Sequence, residues 1–545
     1  MKKILQRKRL SRMLGGTALT GLWLACAQVH ALEFEFDEFL LNVDTTLGAA
    51  TQWRTESRDK ALADGTAAGN FNDGNNNFDP GLISARGNII LEVGGEYKDL
   101  SFFIRGDAVY DYVYHNNDTD ISDNGYLSYN NGFFGGGTVQ QGEFPRDTIA
   151  EHGRRTRLLD AFVSYSFGLG DQSGAVRFGR QIISWGESTL FSGINALQNP
   201  IDAVAALSPG AEVKEILLPT SAINLKWDFS NNFGVETYYK LDWEKSTLPG
   251  VGSYFSSSDT TGPGAERILL GPLGSGEVLH RLAPEDDGQW GLAARYISDY
   301  GTNFELYYTR SHANIPGAEV NLDLATFTGT TREIYTGDID VWAGSFSTTL
   351  GEAQVYMDGA YSDNMPFIDL SSVLGADGIL KRSDVIRGHY WQLSAGFTDI
   401  YTALPWLADQ IILLGEVNYQ GNNLGGSSLV PPPLGFNDPG TNMAVTETAW
   451  GYSMLAQLQY FSVLSGMDIT VPISFKHDVD GYGNAIALNN GLKEGQKVAA
   501  IGVDAFYLTN WQFSAKYAWY FGNDKPEDRV LSDRDNIALI VKYTF

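Results

Sequence analysis

Residues 99–115 read DLSFFIRGDAVYDYVYH, and the order of residue types in this stretch decides the fold. Phe102, Ile104, Ala108, Tyr110, Tyr112 and Tyr114 share one parity, while Arg105, Asp107 and Asp111 share the other. Successive side chains of a strand point to opposite faces, so residues 100–115 make a strand with one apolar and one charged face. The preceding stretch repeats the pattern: Ile83, Ala85, Ile89, Leu91, Val93 and Tyr97 oppose Arg86, Asn88, Glu92 and Glu96. Little more than Asp99-Leu100 separates the two, which makes them a tight antiparallel hairpin.

The same alternation recurs along the chain. Phe233, Val235, Tyr239, Leu241 and Trp243 oppose Glu236, Lys240 and Asp242, and Trp511, Phe513, Ala515, Tyr517, Trp519 and Phe521 oppose Gln512, Ser514 and Lys516. Eighteen such segments run from residues 38–54 to 534–545, with 16 as the alternative count. The segment at 175–184 is the least regular, because Arg177 and Arg180 fall on opposite faces, and it predicts a bulge. Long connections follow the odd-numbered strands and short ones most of the rest. The strands are long, and their aromatics gather towards the ends. A soluble sandwich explains neither feature, whereas a lipid-facing band with aromatic girdles around a polar lumen explains both. The expected fold is therefore all-β: a transmembrane antiparallel β-barrel of about 18 strands with long outer loops. An even count places both termini in the periplasm.

The N-terminus fits export. Lys2, Lys3, Arg7, Lys8, Arg9 and Arg12 precede an apolar run from Met13 to Ala25, and Val29-His30-Ala31 offers a cleavage site. Residues 1–31 are read as a signal peptide and 32–545 as the barrel. Trp23 stands where a lipoprotein signal usually has Leu, which argues against lipidation of Cys26. Cys26 is the only cysteine, so the mature chain has neither disulfides nor a catalytic thiol. Removing six basic and no acidic residues takes the net charge from −27 to −33, which argues against nucleic acid as a partner. The last strand alternates Ile537, Leu539, Val541, Tyr543 and Phe545, and its terminal Phe resembles the signal by which outer-membrane barrels are recognised for insertion.

Two loops are rich in hard oxygen ligands: Asn70 to Pro80 (NFNDGNNNFDP) and Asp118 to Gly125 (DTDISDNG). Neither carries the distal glutamate of a helix-loop-helix calcium site, and both are read as solvated loops. The histidines are scattered, and no Gly-x-Ser-x-Gly turn or His-x-x-x-His spacing appears, so no catalytic residue and no cofactor is assigned. Inward positions carry Arg86, Arg105, Asp107 and Asp111, charges that set the field of a polar lumen. Arg154, Arg155 and Arg157 are placed at the rim, where lipopolysaccharide phosphates would meet them, with the lining of the mouth as the alternative.

One connection differs from the others. Residues 180–219 read RQIISWGESTLFSGINALQNPIDAVAALSPGAEVKEILLP, with few of the polar residues that fill the other long loops. It follows the fifth strand, so it is the third outer loop. A connection this apolar is stable by packing on something, and the inner wall of the barrel is available. Residues 185–220 are expected to fold into the lumen as a constriction or plug. The candidate pathway residues are Arg180, Trp185, Glu187, Phe191, Asn195, Asp202, Glu212, Lys214 and Glu215.

This stretch also carries a resemblance. Phe178-Gly179-Arg180-Gln181, Ser184-Trp185-Gly186-Glu187-Ser188, Asn199-Pro200-Ile201-Asp202, Pro209 to Glu215 and Leu217-Leu218-Pro219 resemble the signature region of domain-of-unknown-function family 1302, a proteobacterial outer-membrane family. The family has no settled activity. Its members are often encoded beside a lipoprotein-like periplasmic protein and an RND-type exporter, which implies traffic of hydrophobic molecules. The resulting expectation is a channel, not an enzyme, passing small hydrophobic or amphipathic molecules across the outer membrane. Its partners would be outer-membrane lipids and lipopolysaccharide. The alternatives are a barrel partner of such a periplasmic lipoprotein and RND-type exporter in lipid traffic, and an outer-membrane enzyme.

Overall fold

The computed structural model describes residues 32–36, 38–63, 70, 72–116, 144–194, 198–269, 275–323, 325–326, 328–371, 373–374, 379–402, 404, 406–424, 444–486, 491–522 and 531–545. The leader and the acidic run at 118–125 lie outside them. Eighteen strands form the barrel wall: β1 (Phe39–Arg54), β2 (Gly81–Tyr97), β3 (Leu100–Asp111), β4 (Arg154–Leu169), β5 (Gln172–Gln181), β6 (Thr220–Asp228), β7 (Phe233–Lys240), β8 (Trp290–Ile297), β9 (Asn303–Ser311), β10 (Ile339–Leu350), β11 (Ala353–Asp369), β12 (Ile379–Tyr401), β13 (Gln410–Asn422), β14 (Thr448–Leu464), β15 (Met467–Asp480), β16 (Lys497–Tyr507), β17 (Trp511–Phe521) and β18 (Asn536–Thr544). Each pairs antiparallel with the next. β18 returns to β1 from Thr46↔Thr544 to Arg54↔Asn536, so this transmembrane barrel is closed without a free edge. A short arm, Leu32–Phe36, pairs with Phe39–Val43 of β1 just past the C-terminal Phe545.

Parity sorts the side chains as the sequence implies. On β3, Ile104 and Tyr110 are exposed outside, while Asp107 and Asp111 are buried inside. Ile89, Leu91, Leu306, Val417, Met454, Val503 and Leu539 belong to the apolar exterior. Rings meet across neighbouring strands near both rims. Trp290, Tyr308, Trp342 and Tyr361 form a chain towards the long loops, and Trp511, Tyr543 and Phe545 another at the short turns.

Several boundaries shift, each for a local reason. The strand expected over 100–115 stops at Asp111. The Asp111 carboxylate accepts the Val113 N–H at 2.9 Å and opens a helical turn, Tyr112–His115, that buries Tyr114 against Phe78, Phe144 and Tyr254. β11 and β12 run past the ends expected at 363 and 388 because a bulge between Ser362 and Met365, with Asn364 at φ 62°, resets the parity. The bulge expected in β5 is absent: its register is continuous with both neighbours. Arg177 faces the lumen over the Phe162 ring, and Arg180 faces the other way. The long loops fold back over their end of the barrel, where buried clusters centre on Phe78 and Tyr254 on one side and Met365 and Phe367 on the other.

A loop crossing the lumen

The connection between β5 and β6, residues 182–219, is the candidate functional site. Its two limbs are stapled by amides: Asn199 accepts the Ile183 N–H at 3.1 Å and donates to the Ile183 carbonyl, and the Gln198 amide oxygen lies 3.3 Å from the Trp185 N–H. Asn199 is fully buried, as a side chain that replaces missing backbone partners must be. Lys240 of β7 donates to the Gln198 carbonyl and ties the staple to the wall.

From this staple the first limb runs along one side of the barrel. Trp185 lies against Tyr238 of β7 and stacks on Tyr307 of β9, with ring centroids at 5.1 and 5.6 Å, in a buried cluster with Ile183, Ile194 and Ala293. Gly291 of β8 makes room for it. A Cβ there would lie 2.5 Å from the Tyr238 ring and 2.9 Å from the Trp185 indole. Gly291→Val is therefore expected to cost about 1–3 kcal/mol by overpacking and to lower the thermal unfolding midpoint. Gly359→Ala, whose Cβ would meet only Leu393 at 3.8 Å, should leave the midpoint unchanged.

Beyond Trp185 the chain turns at Gly186 (φ 92°), and four consecutive backbone N–H groups face two wall carboxylates. Asp358 of β11 accepts from Glu187 and Ser188, each at 2.8 Å, and Glu416 of β13 accepts from Thr189 and Leu190 at 2.9 and 2.8 Å. The Tyr356 hydroxyl donates to Glu416 at 2.8 Å and steadies it. The Glu187 side chain accepts from Ser347 at 2.9 Å. Phe191 then packs on Ala449 and Leu492, with the Lys476 ammonium 5.5 Å from its ring centroid.

The second limb is held on the opposite wall by charge. Asp202 is fully buried between Arg155 and Arg157 of β4, both at 2.5 Å, and caps a short helix, Ala203–Leu207, by accepting the Ala205 N–H at 2.9 Å. Burial pushes its carboxyl up, but the two guanidiniums more than offset this and hold it below the ordinary carboxylate range. Glu212 pairs with Lys542 of β18 at 2.8 Å and Lys214 with Glu92 of β2 at 2.6 Å, while buried Glu215 lies 3.5 Å from Arg86 of β2. These pairings lower the Glu212 carboxyl and raise the Lys214 amine against the opposing effect of burial. The network continues along the wall. Arg105 joins Glu92 and Asp160 at 2.8 and 2.9 Å, and Arg157 joins Asp107 at 2.6 Å. The loop thus presents carboxylates to a basic wall on β2, β4 and β18, and backbone N–H groups to an acidic wall on β11 and β13.

The sequence candidates divide accordingly. Trp185, Glu187, Phe191, Asp202, Glu212, Lys214 and Glu215 all lie on the crossing segment, with Arg86, Arg105 and Asp107 on the facing wall. Asp111 instead binds Ser84 and the Tyr112 turn. Asn195 lies outside the described residues. Arg180 is off the crossing: it faces outward at the rim and holds Glu244 at 2.5 Å and the Pro219 carbonyl at 2.9 Å. Arg155 and Arg157 do not stand at the rim for lipopolysaccharide. Two residues apart on a strand they share the inward face, and only Arg154 points out. Sequence reasoning missed Gln198 and Lys240 as staples. It gave Asp358 and Glu416 no role, because a backbone donor leaves no trace in residue type.

A model of the family described as protein of unknown function (DUF1302) matches residues 12–545. The chain belongs to the DUF1302 family. No curated protein matches this DUF1302 sequence. Among solved structures, Acinetobacter baumannii OccAB2 is 12% identical with a TM-score of 0.41, covering 93% of this chain and 98% of its own. OccAB4 of the same organism is 11% identical with a TM-score of 0.44 and the same coverage. Pseudomonas aeruginosa OpdK, solved with vanillate, is 10% identical with a TM-score of 0.41, covering 92% of this chain and 98% of its own.

Proposed function

We propose that this DUF1302 barrel is an outer-membrane channel for small hydrophobic or amphipathic molecules, with residues 185–220 as its constriction. The short turns and both termini would face the periplasm. The observation that carries the reading is the crossing itself. One segment reaches from β2 and β18 to β11 and β13, and beside its buried anchors it carries accessible apolar side chains, the exposed Val213 and the half-buried Leu190 and Leu207, into a lumen rich in charge. A solute with an apolar body and a polar end finds both kinds of surface along such a path. No catalytic group is required. The test is uptake by vesicles carrying the purified barrel, with and without Trp185–Ser208. The intact protein should admit small aromatic or amphipathic probes selectively, and the deletion should admit them faster and with less discrimination. Equal uptake and equal conductance would remove the constriction role.

The number of ties on the loop favours a second reading beside the first, in which a periplasmic lipoprotein-like partner and an RND-type exporter work through the barrel and displace the loop. Under that reading the purified barrel alone stays closed, and a periplasmic protein co-purifies with it.

A further inference from the structure

We infer that the mouth of the barrel holds a divalent cation, calcium by its chemistry, between the first and fourth long loops at Asp73 and Asp259. In the loop after β1, Asp73–Asn76 form one helical turn with Asn72 before it and Asn77 after it. A segment of the loop between β7 and β8 lies along that turn. Asn77 donates to the Gly252 carbonyl at 2.8 Å, and a Cβ at Gly74 would stand 2.3 Å from the Ser253 carbonyl, so only glycine permits this approach. Asp259 accepts the Asn72 N–H at 2.9 Å. Positions 73 and 77 are four apart, so they share one face of the turn, and that face looks at residues 252–259.

Two features make this corner unlike an ordinary buried network. The first is buried charge without a contacting ion pair. Asp73 and Asp259 are both buried, and among the described residues neither has an ion pair. The nearby guanidiniums of Arg54 and Arg534 lie at 2.9 and 2.8 Å from Asp533 instead. The second is an excess of acceptors. The Oδ1 atoms of Asn72, Asn77 and Asp259 and the hydroxyl of Ser253 are buried without a hydrogen-bond partner, in residues from 0% to 8% exposed. Buried acceptors without donors, beside buried carboxylates without contacting counter-ions, cost several kcal/mol each unless a cation satisfies both. Burial pushes the Asp259 carboxyl up to about 7, and burial together with the neighbouring Asp259 pushes Asp73 well above its ordinary value.

The ligand set indicates which cation. Carboxylate, amide and hydroxyl oxygens with no nitrogen or sulfur suit a hard ion. Two carboxylates with several neutral oxygens, drawn from two separate irregular loops, suit calcium better than magnesium, which demands a small octahedral shell and keeps its waters. The first loop supplies the spacing Asp73-x-Asn75-x-Asn77, but Asn75 points to the other side and donates to Asp533 at 2.8 Å. The second carboxylate comes from far along the chain, in place of the distal glutamate that the local sequence lacks.

The test uses full-length barrel refolded from denaturant, free of lipopolysaccharide and stripped with chelator. Terbium should bind and show emission sensitised by Tyr254, adjacent to Ser253. Calcium should displace it, and should raise the thermal unfolding midpoint of the parent protein. Asp73→Asn and Asp259→Asn should each weaken calcium binding at least tenfold, whereas Asn77→Asp should tighten it by adding a charge to the shell. Binding in the two Asn variants within twofold of the parent, or no calcium effect on parent emission and stability, overturns the site. If the carboxylates merely share a proton, Asn77→Asp destabilises the barrel equally with and without calcium, which overturns it as well.

Discussion

Replacing Asp358 and Glu416 together by Ala should open the barrel. These two carboxylates receive the N–H groups of Glu187, Ser188, Thr189 and Leu190, and the segment makes this attachment through its backbone. A hydrogen bond to a charged acceptor contributes about 1.5–3 kcal/mol. Losing even two of the four shifts the balance between docked and released loop by about 3–6 kcal/mol, at least about two decades in population. Trp185 and Phe191 would still favour the docked position through their stacking and burial, so the released state should appear as an added population of larger openings. Planar-bilayer recordings should show conductance steps above those of the parent, and vesicles should lose discrimination between amphipathic probes of different size. The strands themselves do not depend on these contacts, so the barrel should stay folded and heat-modifiable on gels. Parent-like conductance in the double variant would mean that the acidic wall does not hold the loop in place.

How much of this was legible in sequence follows from what each interaction leaves behind in residue type. A strand that separates lipid from water writes its two faces as a period of two, so the hairpin of β2 and β3 and the count of 18 follow from residues such as Ile89 and Glu92 or Ile104 and Asp107 alone. The signal fails where a bulge resets the parity, as at Asn364, or where a side chain caps a turn, as Asp111 does. The inward fold of residues 185–220 was legible because an apolar loop has to be buried somewhere. Which groups meet across the lumen was not: Asp202 with Arg155 and Arg157, or Asp358 with the Glu187 amide, are pairings between residues 45 to 171 positions apart. Arg180 shows the converse error. It sits among the family words, but one step of parity turns it to the outside.

On the opposite wall, Asp202→Asn should be the most destabilising single change in the loop. It leaves the guanidiniums of Arg155 and Arg157 in a buried site with one fewer counter-ion, and breaking a buried pair in this way costs about 3–5 kcal/mol. Arg157 keeps Asp107 at 2.6 Å, whereas Arg155 retains a 3.8 Å ion pair with the Glu151 carboxylate and a 3.4 Å hydrogen bond to its carbonyl, so the penalty falls mainly on Arg155. Asn can still cap the Ala205 N–H, so the helix Ala203–Leu207 should survive and the loss should be one of docking. The expected readout is faster proteolysis within residues 198–219 and a lower unfolding midpoint. Asp338→Asn, which weakens an exposed pair with Arg310, should cost about 1 kcal/mol or less. The pH dependence has a defined sign. The Asp202 carboxyl lies lower in the folded protein than the value of about 3.9 expected when unfolded. Its contribution is therefore fully present above that unfolded value and is lost as pH falls through the folded one. Parent protein should keep the loop protected through neutral and mildly acidic pH and release it in stronger acid. In the variant this contribution is absent at every pH, so parent and variant should differ most at neutral pH and converge in strong acid. A difference that grew on acidification instead would show that Asp202 is not held ionised by the two arginines.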